Sequence, residues 1–201
     1  MKNFVIKSLI FALPILLATT LSASITNTLK IETDANEKSI YLSFQANESN
    51  AVMIQLKDAN EAILHQEFVS NKIAFAKKFN LENLPKGVYF LQISDDLKEI
   101  VQPINISVSD LAIDPLTRIE NFKPVYKYSN NKLDINLLAI NNEKINIEIF
   151  NAENQAIFAK SFKNDGKPFG ERLDLSKLQA GVYSVKINAG NNTFYKSVEV
   201  K

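Results

Sequence analysis

The chain has 201 residues, 46% apolar and 22% charged, with a formal net charge of +1 at pH 7. That length suits one large or two small domains, and the apolar fraction excludes wholesale disorder. The near-neutral charge and two well-separated arginines, Arg118 and Arg172, argue against a nucleic-acid partner, which would be met by clustered basic residues.

The amino terminus carries Lys2 and Lys7 without an acid, then the apolar run SLIFALPILLA over 8–18, then the small residues TTLSAS over 19–24. A charged head, a short greasy middle and a small-residue end predict a signal peptide over 1–24, cleaved near Ala23 or Ser24. The run is too short to span about 30 Å of hydrocarbon as a helix, and Pro14 interrupts it, so no stable transmembrane segment is expected after processing. The expected early partners are the Sec export machinery and signal peptidase. Cysteine is absent and His65 is the single histidine, so the exported chain must hold together by burial alone, without disulfides or thiolate metal sites.

From residue 25 onward the apolar period is two. SIYLSF alternates Ile40, Leu42 and Phe44 with polar neighbours, and turn-like clusters such as QANESN, KDANE and SDD follow at short intervals. Alternation of this kind predicts half-buried strands, and regular turns predict a sandwich or barrel. The first copy is expected over 25–107 and a linker or short helix over 108–123, where VSDLAIDPLTRIENF breaks the alternation. The second copy, over 124–201, repeats the first at a spacing of 93 to 94 positions. Gly87-Val88-Tyr89 matches Gly181-Val182-Tyr183, Leu84 matches Leu178, Phe68 is paired with Phe162, and Val52, Ile54 and Leu56 match Ile145, Ile147 and Ile149. The one-residue slip is placed at the turns DANEA and NAENQA, where an insertion flips no strand face. The fold class is all-β: two tandem immunoglobulin-like antiparallel sandwiches of six or seven strands each.

The repeated Leu-x-x-Gly-Val-Tyr is read as architecture. Tyr89, Leu91 and Ile93 share one strand face, as do Tyr183, Val185 and Ile187, and that face is apolar in both copies. An inward tyrosine just after a bend matches the tyrosine corner of immunoglobulin-like sandwiches, whose hydroxyl bonds to backbone upstream. Gly87 and Gly181 are expected to supply a positive φ or a close approach there. Leu84 and Leu178 are expected to plug the bend into the core.

Other residues give no reaction chemistry. His65 has no second histidine beside it, Asp95-Asp96 reads as a solvated turn, and no motif builds a nucleophile-base pair around His65. No catalytic residue, metal site or cofactor is expected. Phe90, Tyr126, Tyr128, Phe194 and Tyr195 are candidate interface aromatics.

The second copy resembles the C-terminal sorting domain of the type IX secretion system of Bacteroidetes. The resemblance rests on Ile147-Glu148-Ile149-Phe150-Asn151-Ala152, then Leu178, Gly181-Val182-Tyr183 and Val185-Lys186-Ile187, then the final strand from Lys196 to Lys201. Asn154 stands where that family's turn usually has glycine. The resemblance implies an immunoglobulin-like sandwich carried across the outer membrane, with the type IX machinery as a partner and Leu84, Gly87, Tyr89, Leu178, Gly181, Val182, Tyr183, Lys196 and Lys201 as its structural or sorting motif. The reading that follows is a non-enzymatic exported protein at the cell surface or outside the cell, with the periplasm as an alternative location. A surface adhesin or glycan- or protein-binding accessory module is the second reading. The sequence leaves the oligomeric state open.

Overall fold

A computed structural model describes residues 8–9, 28–34, 37–45, 51–70, 74–139 and 144–201. The signal peptide expected over 1–24 lies outside the described residues except for Ser8–Leu9. The described residues form two compact units, one within 17–121 and one within 122–201 together with Ser8–Leu9.

In the first unit, β2 (Lys30–Asp34), β3 (Ser39–Gln45) and β6 (Ala74–Asn80) make a small sheet in the order β2-β3-β6. The larger sheet contains β4 (Val52–Asp58), β5 (Ile63–Val69), β7 (Gly87–Ser94) and β8 (Lys98–Ile106) in the order β8-β7-β4-β5. The second unit repeats the plan. Its smaller sheet has β11 (Val125–Ser129), β12 (Lys132–Leu137) and β15 (Phe169–Asp174), and its other sheet has β13 (Lys144–Phe150), β14 (Ala156–Lys163), β16 (Gly181–Ala189) and β17 (Asn192–Val200). The orders are β15-β12-β11 and β14-β13-β16-β17. Strand β1 (Ser8–Leu9) adds to the outer side of β15, with Ser8 opposite Leu173 and Leu9 opposite Arg172.

Each unit is an immunoglobulin-like antiparallel sandwich. Alternation puts Ile40 and Leu42 of the small sheet against Ile54, Leu91, Ile93, Ile100 and Ile104 of the large one, all fully buried. The second core is built the same way from Leu133 and Ile135 against Ile145, Ile147, Ile149, Val185 and Ile187. Inward rows from two facing sheets are the geometry that lets alternating strands bury one side each.

The strand pairing moves the one-residue slip between the copies. Leu56 stands opposite His65 as Ile149 stands opposite Phe158, and Met53 faces Phe68 as Asn146 faces Ser161. The spacing is therefore still 93 through β5 and β14. It becomes 94 only by β6 and β15, where Phe44 faces Phe75 as Leu137 faces Phe169. Residues 58–62 and 151–155 of these turns correspond residue for residue: Glu61 and Asn154 both close on the carbonyl three residues back and both have positive φ, 63° and 58°. Hence Phe68 matches Ser161 rather than Phe162. It lies on the outward face, 64% exposed, while Phe162 packs on the core and on Phe169. One residue of slip exchanges the two faces of a strand, which is why the position of the slip matters.

The segment 108–123 carries structure rather than acting as a bare connection. It forms β9 (Leu111–Ala112), a 3-10 turn at Pro115–Thr117 and β10 (Ile119–Phe122), and both strands add to β8 of the first unit. The Asp114 side chain caps the turn by accepting from the Leu116 amide at 2.9 Å. Leu111 is 2% exposed and belongs to the first core. Both arginines have structural partners. Arg118 Nε donates to Gln102 Oε1 at 3.1 Å, and Arg172 makes a two-pronged contact with Asp134 at 2.5 and 2.9 Å across β12 and β15.

Two outcomes follow for stability. Leu111→Ala should cost the first unit about 2–5 kcal/mol in urea unfolding, the range for emptying a buried leucine site, whereas Leu116→Ala, at an exposed position, should leave it unchanged. Arg172 holds the Asp134 carboxyl below the usual carboxylate range. A depressed folded pKa gives stability that is present above the unfolded value, about 3.9, and is lost as pH falls through the folded one. Arg172→Leu should therefore flatten the loss of stability of the second unit below about pH 4, read by thermal melts across pH.

Candidate functional site

The two bends that carry the repeated motif have the same construction. At the first, the Leu81 amide donates to the Lys38 carbonyl at 2.9 Å and the Leu84 amide donates to the Leu81 carbonyl at 3.0 Å. At the second, Leu175 donates to the Asn131 carbonyl at 2.8 Å and Leu178 to the Leu175 carbonyl at 3.0 Å. Asn80 and Asp174 cap the bends, accepting from the amides of Glu82 and Ser176. The two Ser176 bonds hold the Asp174 carboxyl below its usual pKa.

The tyrosines then close the bends. Tyr89 Oη donates to the Pro85 carbonyl at 2.8 Å, and Tyr183 Oη donates to the Gln179 carbonyl at 2.9 Å. Both rings are buried, 6% and 9% exposed, so each hydroxyl satisfies a carbonyl beside the core. The residues that plug the bends are Leu81 and Leu175, 3% and 0% exposed. Leu84 and Leu178, the leucines expected there, are half-buried and also pack against the two cores. The reason is phase: the buried leucine is the first residue after the strand, and the next leucine lies three residues on across a tight turn.

The positive φ expected of the glycines is found at the second bend only: Gly181 has φ 159°, a conformation that residues with a side chain rarely adopt, whereas Gly87 is not among the positive-φ residues. A Cβ would lie 3.8 Å from Tyr89 Cε2 at the first and 3.9 Å from Tyr183 Cε2 at the second, which is ordinary contact. Each glycine lies beside the tyrosine ring. Val182 is 56% exposed beside this bend.

The second unit has an open seam where its two sheets end. Strand β11 ends one sheet and β17 ends the other. Between them lies a groove of about 620 Å³, lined by Tyr126, Tyr128, Leu133, Lys196, Val198 and Lys201 among others. Lys196 Nζ sits 5.9 Å from the centre of the Tyr126 ring. Burial pushes the Tyr126 phenol up to about 12, and its hydroxyl has no hydrogen-bond partner among the described residues. Tyr128 Oη donates to Asn131 at 3.0 Å.

The candidate aromatics take different positions within their own units. Tyr126 and Tyr128 pack inward at the seam. Phe194 also packs on the core, while its neighbour Tyr195 faces outward, 68% exposed, because adjacent strand residues take opposite faces. Phe90 is half-buried on the outward face of the first unit, on β7 opposite Lys57 and Pro103. A slip at the DANEA turn hides the outward Phe68 by pairing it with the inward Phe162, and Met53 faces Phe68 across β4 and β5.

Two other sequence readings change. Asp95 is 4% exposed, and its carboxylate accepts from the Leu97 and Lys98 amides at 2.8 Å each. It is a buried turn cap rather than a solvated tip. His65 packs edge-on against Phe79 and lies 3.6 Å from the Glu67 carboxylate. Among the described residues no three or more His, Cys, Asp or Glu side chains gather as a metal site, and no helix is long and apolar enough to cross a membrane.

A family model described as "Secretion system C-terminal sorting domain" matches the chain twice, over residues 25–107 and 129–201. No curated protein matches in sequence. Among solved structures, the BSP domain of a biofilm associated protein aligns at 11% identity and a TM-score of 0.28, over 87% of this chain and 29% of that one. The FN1-FN3 domains of chicken CNTN1 align at 11% identity and 0.29, over 86% of this chain and 66% of that one. A Lactobacillus rhamnosus β-glucuronidase aligns at 8% identity and 0.28, over 81% and 35%. The chain spans less than two thirds of each of these structures.

The bends give a direct test. Tyr183→Phe should lower the stability of the second unit by about 1 kcal/mol, the worth of one hydrogen bond to a carbonyl left without a partner, and Tyr89→Phe should do the same in the first. Chemical unfolding of the full chain reads both, and an unchanged midpoint for either variant would remove the bond from the account of that bend.

Proposed function

The chain belongs to the secretion system C-terminal sorting domain family, and from that premise we propose that it is a non-enzymatic protein whose second sandwich acts as the sorting and surface-attachment module. Membership implies export to the cell surface or outside it, and a link to the type IX secretion machinery. The observation that carries the proposal is the match of one family model to both sandwiches, each closed around its own core and its own tyrosine bend. In this reading residues 1–24 are the signal peptide that brings the chain through the Sec machinery, residues 25–107 the first sandwich and 124–201 the module that the secretion machinery recognises. The polar groups at both bends are engaged in holding the backbone, which supports architecture over catalysis.

A second reading has its own observation. The outward face of the first unit presents Phe68, Met53 and Phe90 beside the cross-strand row Gln66, Gln55 and Gln92, with Gln55 Nε2 donating to Gln66 Oε1 at 2.6 Å. Planar apolar side chains next to amides suit a glycan or protein surface, and Phe68→Ala would abolish retention on a glycan or protein array if that face binds.

The sorting reading predicts a change of place. Deleting residues 124–201 in the native host should move the chain from the surface or medium to the periplasm, as read by cell fractionation, with the first unit still folded by circular dichroism. An unchanged distribution of the folded remnant would refute it.

A further inference from the structure

The two sandwiches treat the same seam differently, and the difference exposes a site. In the first unit the seam between β2 and β8 is filled. Strand β9 pairs with β8, placing Leu111 opposite Ile106 and Ala112 opposite Asn105, and it also touches β2. Polar bonds hold the filling segment: Lys38 Nζ donates to the Val108 carbonyl at 2.6 Å, and the Gln102 side chain donates to the Asp114 carbonyl at 3.0 Å while accepting from Arg118. Gln102 is completely buried as a result.

The corresponding seam of the second unit is the groove between β11 and β17. The correspondence is set by pairing. Gln102 faces Leu91 as Lys196 faces Val185, and the carbonyls of Lys38 and Asn131 receive the equivalent leucine amides. Asn131 and Lys196 therefore occupy the two positions that grip the segment in the first unit, and both line the groove. Asn105 and Ile106, which pair with β9, correspond to Glu199 and Val200 at the end of β17. Yet no described strand pairs with the outer edge of β17, and Lys196 is exposed where Gln102 is covered.

We propose that the β11–β17 seam is an acceptor for an extended polypeptide strand that adds antiparallel to the edge of β17, sets one large aliphatic side chain into the groove and places a carboxylate beside Lys196. The shape is that of the segment the first unit holds, Asp110-Leu111-Ala112-Ile113-Asp114, where an aliphatic pair is flanked by acids. The charge fits as well. Lys196 and Lys201 line the groove against one acid, Glu199, and a lysine turned inward on an edge strand also repels casual pairing, so a strand without acid beside Lys196 is disfavoured. Main-chain bonds to an open edge supply affinity and the side-chain slot supplies selectivity, the usual division of labour when a strand is added to a sheet. The inference rests on the two seams alone and stands whether or not the second unit is the sorting module.

The test uses the full chain, isotope-labelled for amide NMR, and the synthetic peptide Ser-Asp-Leu-Ala-Ile-Asp-Pro. Saturable shifts at residues 125–131 and 196–201 are expected. The same peptide with its leucine replaced by Asp should bind at least about tenfold more weakly, since the buried aliphatic group is lost. Lys196→Glu should weaken binding several-fold without moving the melting temperature, and Lys186→Glu, on the outward face of the neighbouring strand, should not weaken it. The absence of saturable shifts at millimolar peptide, equal binding of the Asp peptide, or shifts confined to residues 98–114 of the first unit would overturn the proposal. So would concentration-dependent dimerisation that Lys196→Glu abolishes, because the occupant would then be a second copy of this chain.

Discussion

Each sandwich depends on one crossing. The chain leaves the small sheet at Asn80 or Asp174 and must enter the interior of the other sheet at Gly87 or Gly181. A tight bend at that point leaves backbone carbonyls near the core with no ladder to join, and an unpaired buried carbonyl is costly. The hydroxyls of Tyr89 and Tyr183 meet the carbonyls four residues back, and the ring that carries each hydroxyl is itself core. That bond also sets parity. With the tyrosine inward, Leu91 and Ile93, or Val185 and Ile187, must follow it inward. Their cross-strand partners Leu56 and Ile54, or Ile149 and Ile147, face the same core. One side chain thus fixes the phase of three neighbouring strands in a chain that has no disulfide to do so.

This is also why so much of the fold is readable before any coordinates. Period-two alternation names the strands, because a sandwich strand buries one face and only one. A tyrosine repeated at the same phase marks the crossing. What the sequence hides has physical reasons. A two-residue strand such as Leu111–Ala112 is too short to show alternation, so the segment that covers β8 reads as a connection. Phe68 and Phe162 look equivalent because both are aromatic and stand the same distance from the motif. Only pairing shows that one faces water and the other faces Phe169. Gly87 and Gly181 both suggest special backbone, and only Gly181 has it, with a positive φ, while Gly87 does not. The seam of the second unit joins Tyr126 to Lys196, 70 positions apart, and nothing in local pattern links them.

The copies differ most where the tyrosine has no say. Inner rows keep their chemistry: Ile54 and Leu56 answer to Ile147 and Ile149, and Leu91 and Ile93 to Val185 and Ile187. Outward rows change. Gln66, Gln55 and Gln92 in the first unit stand where the second has Ala159, Glu148 and Lys186, and Met53 with Phe68 stands where the second has Asn146 with Ser161. A core is a packing constraint that both copies must satisfy in the same way, since buried volume must be filled and buried polar groups must be paired. Outward faces and seams carry no such constraint. Any difference in what the two sandwiches do therefore belongs to those surfaces.

The seam shows how such a difference arises from one substitution of role. A sheet edge next to an open sandwich end has two stable outcomes: it is covered by chain, or it is guarded by charge. Gln102 suits the first outcome, because a neutral amide can both donate and accept, and here it does both against Asp114 and Arg118 while losing all contact with water. Lys196 suits the second. An ammonium can only donate, and burying it without a counter-charge is far more expensive than burying an amide. With the lysine in place, the edge stays open until a segment arrives that brings its own carboxylate, so the residue that keeps the edge solvated is the one that decides what can close it.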